Sequence, residues 1–550
     1  MKLRTKIGLW VLLPFVGLSV LAFRSDDRYF EIARNLDIFA SLYREVNQYY
    51  VEDVNPNTLL KTGIDAMLKK LDPYTNYIAE DDIEDYRTMA TGEYGGIGIQ
   101  SNKLKGKHIV LLVYEESPAS EAGLQISDEL IAIDGIDITE KSDDEVGKLM
   151  KGQSGSDIQI DVKRKFQDDI ISLDMKRQKI VIPNISYKGM LSDDIGYLRL
   201  SEFTRNAGDD VRETVKELKE KGAKKIVFDL RDNPGGLLNE AVNICNVFLP
   251  KDVKIVDTKA KLKVQNYVYN TAKEPLDLSI PLAILISSGS ASASEIVSGV
   301  LQDYDRGVLI GQKSYGKGLV QQTKKLSHNA QLKVTIAKYY IPSGRLIQAL
   351  DYSNRRIDGS VGKVPDSLKS EFKTSNGRVV FDGGGVDPDI LIEKHTLSSY
   401  SNNLLQSGLI FEYVTKYFHE HSQIASAKEF KLSDEEYGAF VSWMKGRKFE
   451  NNSLLEKSFS ELKTASEEDK VYKAITAEIE AVKVAIEKVK SNGLIKFKEE
   501  VKFLITQEIV KRYYSTKGLV ENSLSQDIDI KAAIDVLEDE EKYQSILKGI

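Results

Sequence analysis

The chain of 550 residues is poor in the residue types that disulfide frameworks and most metal sites require. Its one cysteine, Cys245, excludes a disulfide framework and leaves no lipoprotein cysteine near the N-terminus. Its five histidines are His108, His328, His395, His419 and His421, and none lies in an H-E-x-x-H motif. Metal catalysis and a Ser-His-Asp triad both lack a credible histidine, so we expect no metal and no cofactor.

The charge balance argues against a nucleic-acid partner. The formal net charge is −7 and the sequence pI is about 5.6, with lysine and glutamate intermixed along the chain. No basic patch follows from this pattern. The length is too great for one hydrophobic core, so about three or four domains are expected.

The first 24 residues have the pattern of an export segment. Lys2, Arg4 and Lys6 precede a mostly apolar stretch, Ile7–Phe23, before charge returns. This predicts either a cleaved signal peptide or a retained membrane anchor, because the apolar stretch is long enough for both. We therefore expect a periplasmic or other extracytoplasmic protein, attached to the inner membrane if the segment is retained.

A serine-rich segment, Ser287–Glu295, follows an apolar run of strand length, Leu282–Ile286. Apolar residues at helical spacing follow it, which predicts a strand, a turn and the start of a helix. Free backbone N–H groups at a helix N-terminus can hold a developing oxyanion. The alternative is that serine and glycine only cap the helix and form the turn.

Two further segments carry candidate chemistry. Lys317 lies between Gly316 and Gly318, which allow tight turns that direct a lysine into a cleft, although most lysines are solvated surface charge. The segment Phe228–Leu237, F-D-L-R-D-N-P-G-G-L, predicts a strand over 225–230, a sharp turn and a helix over 237–248. The serine segment and Lys317 together suggest a serine nucleophile with a lysine base.

These motifs resemble the carboxy-terminal processing proteases, which are serine peptidases with a PDZ domain and a Ser-Lys dyad. The family pattern S-A-S-A-S-E-I is complete from Ser290 to Ile296, and F-G-K-G-x-V-Q is matched from Tyr315 with tyrosine in place of phenylalanine. The resemblance implies Ser292 as nucleophile, Lys317 as base and Gln321 as the residue that orients the lysine. It also implies an oxyanion hole made by the Ala293 N–H and a glycine N–H, with Gly235 and Gly236 as equal candidates.

A PDZ module is predicted over 93–179. The segment Gly95, Gly96, Ile97, Gly98 and Ile99 resembles the carboxylate-binding loop of that family. Backbone N–H groups of such a loop bind a peptide's terminal carboxylate while the adjacent strand pairs with its backbone. Ser127 departs from the family, which usually has glycine there, and this affects a turn only. The alternative is a small β domain that separates its neighbours.

The sequence therefore predicts a multidomain α/β protein, with a PDZ β-sandwich-like module and an α/β serine-peptidase core flanked by helical N- and C-terminal regions. The predicted segments are 1–24 (signal or anchor), 25–92 (helical), 93–179 (PDZ), 180–395 (peptidase) and 396–550 (helical). The last region shows no recognised motif. Its apolar stripe from Ile475 to Val489 leads us to expect assembly or docking there, with a homo-oligomer as one outcome.

The predicted function is an exported serine endopeptidase that binds unstructured C-terminal tails of proteins through its PDZ domain and cleaves peptide bonds with the Ser-Lys dyad. One alternative is a non-catalytic PDZ adaptor that retains the peptidase fold. The complete set of serine, lysine and glutamine argues against it. The other is a Ser-Lys amidase for small molecules, which leaves a peptide-binding module without a role.

Overall fold

The computed structural model describes residues 28–356, 359–394, 396–447, 449 and 454–550. The chain divides into two compact units, residues 1–77 and 78–550. Two helices form the described part of the first unit, α1 (28–49) and α2 (Pro56–Lys69). The Tyr43 hydroxyl donates to the Pro56 carbonyl at 2.7 Å and ties them together. The helical pattern predicted there is confirmed for these two helices.

The predicted export segment, residues 1–24, lies outside the described residues. Among the helices that are described, none is long and apolar enough to cross a membrane.

The PDZ module begins after a short connecting region. This region contains β1 (Asn76–Ile78) and α3 (Ile83–Thr91). The elements of the module are β2 (Glu93–Gly96), β3 (Ile99–Leu104), β4 (Lys107–Val113), α4 (Pro118–Glu121), β5 (Glu129–Ile133), β6 (Ile136–Asp137), α5 (Asp143–Met150), β7 (Asp157–Lys163), β8 (Ile170–Lys176) and β9 (Gln178–Val181).

The PDZ sheet has the strand order β3-β4-β5-β7-β8, with β6 paired to β5. Alternating residues of these strands point inward, as in β7, where Ile158, Ile160 and Val162 are buried. α5 starts with a capping box, in which the Ser142 hydroxyl and the Glu145 carboxylate satisfy each other's backbone N–H. A separate pair of strands, β2 and β9, closes the module where the chain enters and leaves it.

The peptidase core contains a six-stranded sheet in the order β10-β11-β12-β15-β16-β23. Its strands and the helices between them are β10 (Ile185–Met190), β11 (Ile195–Leu200), α6 (Ala207–Glu220), β12 (Lys225–Asp229), α7 (Leu238–Phe248), β15 (Leu282–Ile286), α8 (Ala293–Asp303), β16 (Val308–Gly311) and β23 (Ile390–Leu391). All neighbours in this sheet are parallel except β10 and β11. The predicted strand over Leu282–Ile286 is confirmed, and the helix predicted over 237–248 begins one residue later.

Both faces of this sheet are covered, as a parallel sheet requires. α6, α7 and α8 pack on one face in a core that includes Phe228, Ile284 and Val297. The opposite face, with Tyr197 and Leu285, is covered by helices from the C-terminal region.

A second sheet extends from the peptidase core. It contains β13 (Lys254–Ala260), β14 (Val268–Asn270), β17 (Leu319–Lys325) and β18 (Gln331–Tyr340). Smaller hairpins follow from β19 (Leu350–Arg355) with β20 (Val361–Lys363) and from β21 (Glu371–Lys373) with β22 (Val379–Phe381).

The C-terminal region is helical, as predicted. Its helices are α9 (Ser399–Gln406), α10 (Leu409–Glu420), α11 (Asp434–Met444), α12 (Leu454–Glu468), α13 (Thr476–Ser491), α14 (Gly493–Lys496), α15 (Lys498–Ser523), α16 (Ile528–Glu538) and α17 (Glu540–Lys548). α9, α10, α11 and α15 share an aromatic-rich core of their own.

α16 and α17 have a role that the sequence analysis did not predict. Ile530, Val536 and Tyr543 pack on the peptidase sheet, and the Leu282 N–H donates to the Tyr543 hydroxyl at 2.9 Å. Arg231, in the motif turn after β12, pairs with Asp527 at 2.8 Å and Asp529 at 3.0 Å. These helices therefore complete the peptidase core instead of serving only assembly or docking. Residue 395, the predicted domain limit, lies outside the described residues.

Candidate active site

The three motif segments come together at one edge of the parallel sheet. They follow β12, β15 and β16, which are neighbours in the strand order. Because the carboxyl ends of parallel strands lie at the same edge, the loops that follow them meet there. Ser292, Ala293, Gly235, Gly236, Lys317 and Gln321 all line one cleft of about 600 Å³.

Most serines of the serine-rich segment have structural hydrogen bonds. The Ser287, Ser290 and Ser294 hydroxyls donate to Asp232 Oδ1 (2.9 Å), the Leu230 carbonyl (2.7 Å) and the Asn233 carbonyl (2.9 Å). These bonds join the turn after β15 to the turn after β12. For these three serines the turn-forming explanation is correct.

Ser292 differs from them because it is half-buried and lines the cleft. It precedes α8 directly, with φ +55° and ψ −111°, a conformation that L-residues rarely adopt. Its N–H donates to Glu295 Oε2 at 2.8 Å, which helps to hold this turn. Strained residues held by their surroundings often mark functional sites.

The geometry separates the two candidate oxyanion glycines. The Gly235 N–H donates to Asn233 Oδ1 at 2.9 Å, so it is already engaged within its own turn. Gly236 follows it and also lines the cleft. A Cβ on Gly235 would lie 2.7 Å from the Ala293 nitrogen, which shows how closely the two loops approach. The Gly236 N–H is thus the better candidate to act with the Ala293 N–H.

One carboxylate connects the serine and lysine segments. Glu295 is fully buried, and its Oε2 accepts the N–H groups of Ser292 (2.8 Å) and Lys317 (2.9 Å). Its Oε1 accepts the Gly316 N–H at 2.6 Å and the Ser314 hydroxyl at 2.5 Å. Burial raises the pKa of Glu295, and these four donors oppose that shift. Glu295 therefore fixes the backbone of both predicted catalytic residues.

No role for Glu295 was predicted from the sequence, although the motif Ser290–Ile296 contained a usable signal. Serine at a helix N-cap followed three residues later by glutamate is the capping-box pattern. The additional contact with the Lys317 segment depends on the tertiary fold, so the pattern alone does not reveal it.

The glycines beside Lys317 permit a close approach to the segment that precedes β19. Gly316 has φ +90°, and a Cβ there would lie 2.4 Å from the Ala349 Cβ. The Gly318 N–H donates to Gln348 Oε1 at 2.9 Å. The Lys317 backbone is thereby held from both sides while its side chain lines the cleft.

Tyr339 is a second connection between the two segments that the sequence did not reveal. Its buried hydroxyl lies 3.2 Å from the Ser292 carbonyl and 2.8 Å from the Lys317 carbonyl. Gln321, predicted to orient Lys317, faces the same cleft from β17, and its amide lies 3.3 Å from Thr335 Oγ1. The orienting role of Gln321 stays a prediction.

A further lysine, Lys333, and a glutamate, Glu202, also line the cleft. Burial lowers the pKa of Lys333 and raises the pKa of Glu202. Lys333 lies six residues before Tyr339 on β18, so their Cα atoms are about 20 Å apart in an extended strand. The Tyr339 hydroxyl lies 3.2 Å from the Ser292 carbonyl, so Lys333 is attached to the sheet far from Ser292, whereas Lys317 shares the Glu295 carboxylate with Ser292. This favours Lys317 over Lys333 as the base.

A second groove, of about 400 Å³, lies between β3 and α5 in the PDZ module. Ile97, Gly98 and Ile99 line it, and Gly98 has φ +79°. Gly95 and Gly96 instead pair with β9, outside the groove. The fold requires glycine at position 95, because a Cβ there would lie 2.0 Å from the Gly152 carbonyl oxygen. This requirement is a close approach of two backbones and not the binding of a carboxylate.

Ser127 confirms that the predicted departure affects a turn. It has φ +82°, in the left-handed region that glycine adopts without strain. It lies between Leu124 and β5 and does not line the groove between β3 and α5.

Three family models match the chain, and they correspond to the parts of the fold described above. A PDZ domain matches residues 95–176, peptidase family S41 matches 194–353, and the C-terminal helical domain of a probable PDZ-protease matches 400–537. An α/β peptidase core joined to a PDZ domain therefore defines the class of this protein.

Similar proteins give the family. A probable CtpA-like serine protease of Staphylococcus haemolyticus is 33% identical over 311 residues, which cover 56% of this chain and 61% of that protein. A carboxy-terminal-processing protease of Bartonella bacilliformis is 33% identical over 336 residues, with 60% of this chain and 76% of that protein covered. The chain belongs to the carboxy-terminal-processing protease family, and the resemblance found in its motifs is confirmed.

Among solved structures, a photosystem II D1 C-terminal processing protease is 23% identical to this chain. The match covers 64% of this chain and 92% of that one, with a TM-score of 0.35.

Proposed function

We propose that this chain is an exported serine endopeptidase that binds unstructured C-terminal tails and cleaves peptide bonds with Ser292 and Lys317. The observation that carries the proposal is that Ser292 and Lys317 line one cleft while the buried Glu295 carboxylate accepts the backbone N–H groups of both residues. A binding protein has no need to fix a strained serine and a glycine-flanked lysine against each other.

In the proposed reaction, the Ser292 hydroxyl attacks the scissile carbonyl while the Lys317 amine takes its proton. The N–H groups of Ala293 and Gly236 stabilise the oxyanion. The Lys317 ammonium then protonates the leaving amine, and an acyl-enzyme forms. Water, activated by the same amine, hydrolyses this ester and restores Ser292.

The base role sets a condition on Lys317. An ordinary lysine has a pKa of about 10.4 and is protonated at neutral pH. Only the neutral amine accepts a proton, so catalysis requires a pKa below that value. Gln321, on the next strand, is proposed to hold the amine toward Ser292.

Tail recognition is assigned to the PDZ groove. The N–H groups of the Ile97–Ile99 loop are proposed to bind the terminal carboxylate, and the edge of β3 to pair with the tail's backbone. We also propose an extracytoplasmic location, periplasmic or at the inner membrane, from the first 24 residues.

The proposal is tested with an unstructured polypeptide that has a free C-terminus, incubated with wild type and with Ser292→Ala. Wild type should produce fragments, and Ser292→Ala should bind the polypeptide without cleaving it. Binding without cleavage by both proteins indicates the adaptor. Hydrolysis of small amides but not of the polypeptide indicates the amidase.

A further inference from the structure

The PDZ groove has an open strand edge on one side and α5 on the other. Within the described residues, β3 pairs only with β4, so its outer edge is open to a peptide strand. α5 runs antiparallel to β3. Its C-terminal end lies near Gly96, where a Cβ would be 3.8 Å from the Met150 carbonyl oxygen.

The N-terminal end of α5 lies beside the far end of β3. Asp143 Oδ1 is 3.2 Å from His108 Nδ1, and His108 pairs with Lys103 of β3 in the strand register. His108 is buried, and its Nε2 lies 3.0 Å from the Lys141 carbonyl oxygen. The imidazole thus holds one oxygen of Asp143, whose side chain stays 46% exposed and lines the groove.

The two ends of the groove differ in charge. At the end near the Ile97–Ile99 loop, Lys151 lines the groove just after Met150 and is already paired with Asp85 at 2.5 Å, whereas the Asp143 carboxylate lines the other end. Ile97, Ile99 and Met150 make the first end apolar. This end therefore suits an apolar last residue with its carboxylate, and the second end suits a cation.

The rise per residue of a helix and of a strand indicates which residue of the tail would carry this cation. Asp143 and Met150 are seven residues apart, or about 10 Å along α5. A tail antiparallel to β3 advances about 3.4 Å per residue and presents alternate side chains to α5. The residue two before the last thus faces α5 about 7 Å from the end. A lysine or arginine side chain spans the remaining distance and carries the charge that the Asp143 carboxylate attracts.

We propose that this groove selects tails with lysine or arginine two residues before an apolar last residue, and that Asp143 is the residue that reads this charge. The inference rests on the proposed tail recognition and adds the chemistry of the tail.

The test uses the full chain carrying Ser292→Ala, so that tails bind without being cut. Fluorescent ten-residue peptides ending in the same apolar residue carry lysine, alanine or glutamate two residues before the end. Fluorescence anisotropy measures each Kd. Lysine should bind about tenfold more tightly than glutamate, because an attractive exposed pair is replaced by a repulsive one.

Substitutions on α5 give the matched controls. Asp143→Asn should remove the preference for lysine, and Asp143→Lys should reverse it. Asp144→Asn should retain it, because Asp144 pairs with Lys148 at 3.1 Å and does not line the groove.

Two results would overturn the inference, and only the second would also contradict the proposed tail recognition. Equal Kd values for the lysine and glutamate peptides reject the charge selection but leave tail recognition intact. If no peptide binds through its free carboxylate, with acid and amide forms equal, the proposed tail recognition fails as well. The peptide series on the protein with an unaltered α5 decides between them even if a variant does not fold.

Discussion

Replacing Glu295 with glutamine should weaken the connection between the two catalytic segments while keeping the buried space filled. Both carboxylate oxygens accept two hydrogen bonds each, from Ser292 and Lys317 at one oxygen and from Gly316 and Ser314 at the other. An amide has only one acceptor oxygen, so at least one buried backbone N–H loses its partner. The expected loss is about 1–3 kcal/mol in the free energy of unfolding for each such donor.

The same change should reduce turnover. A shift of either segment misplaces the Ser292 hydroxyl relative to the Lys317 amine, and each 1.4 kcal/mol or so of lost transition-state stabilisation lowers kcat about tenfold. KM for tail peptides should change little, because the PDZ groove is separate. Urea unfolding and steady-state kinetics measure the two effects.

Ser298→Ala is the matched control, because Ser298 is buried one helical turn further along α8 and its hydroxyl donates to the Ser294 carbonyl at 2.9 Å, within the same helix. It should cost about 1 kcal/mol of stability without lowering kcat. A Glu295→Gln protein with wild-type stability and wild-type kcat would show that the carboxylate does not position the dyad.

The pKa of Glu295 adds a pH dependence to this prediction. Because burial raises the pKa of Glu295, the protonated side chain stabilises the folded protein more than the ionised side chain does. This contribution to the free energy of unfolding is fully present below the ordinary glutamate pKa of about 4.3, and it is lost as pH rises through the raised pKa of the folded protein. Glutamine does not titrate, so the stability difference between the two proteins should narrow as pH increases.

Three further predictions follow from the site and the fold. Lys317→Arg should be inactive because a guanidinium stays protonated, and wild-type kcat/KM should rise with pH through one ionisation; an active Lys317→Arg enzyme makes another group the base. Gly235→Ala should lose reactivity with a serine-directed probe, because its Cβ would lie 2.5 Å from the Ala291 carbonyl oxygen and 2.7 Å from the Ala293 nitrogen; normal labelling contradicts this. Truncation before α16 should give insoluble protein, since it uncovers an apolar sheet face; a soluble, active truncation would contradict that role.

The local parts of the fold could be predicted because each depends on a short sequence pattern. The apolar run Leu282–Ile286 matches β15 residue for residue. The strand-turn-helix reading of the serine segment is also confirmed, since α8 starts directly after Ser292.

The parts that were missed depend on contacts between distant residues. Spacing along the chain gives no indication that Arg231 pairs with Asp527 and Asp529, or that α16 covers the sheet. The contacts of Tyr339 with the Ser292 and Lys317 carbonyls likewise require the folded sheet, so no local pattern reveals them.

In the glycine-rich PDZ segment, residues 95–99, the sequence does not show which residues line the peptide groove. Glycine serves both a carboxylate-binding loop and a close approach of two backbones. The sequence therefore could not separate Gly95 and Gly96, which pair with β9, from Ile97–Ile99, which line the groove. The Gly235 and Gly236 alternatives were equivalent for the same reason until the Asn233 hydrogen bond was seen.

The Ser292–Lys317 dyad is tested most directly by mapping the residue that a serine-directed fluorophosphonate probe modifies, using mass spectrometry of the digested protein. We expect modification of Ser292 in wild type and its loss in Lys317→Arg, with both proteins folded by circular dichroism. Modification at another serine, or equal labelling of Ser292 in Lys317→Arg, would contradict the Ser292–Lys317 assignment.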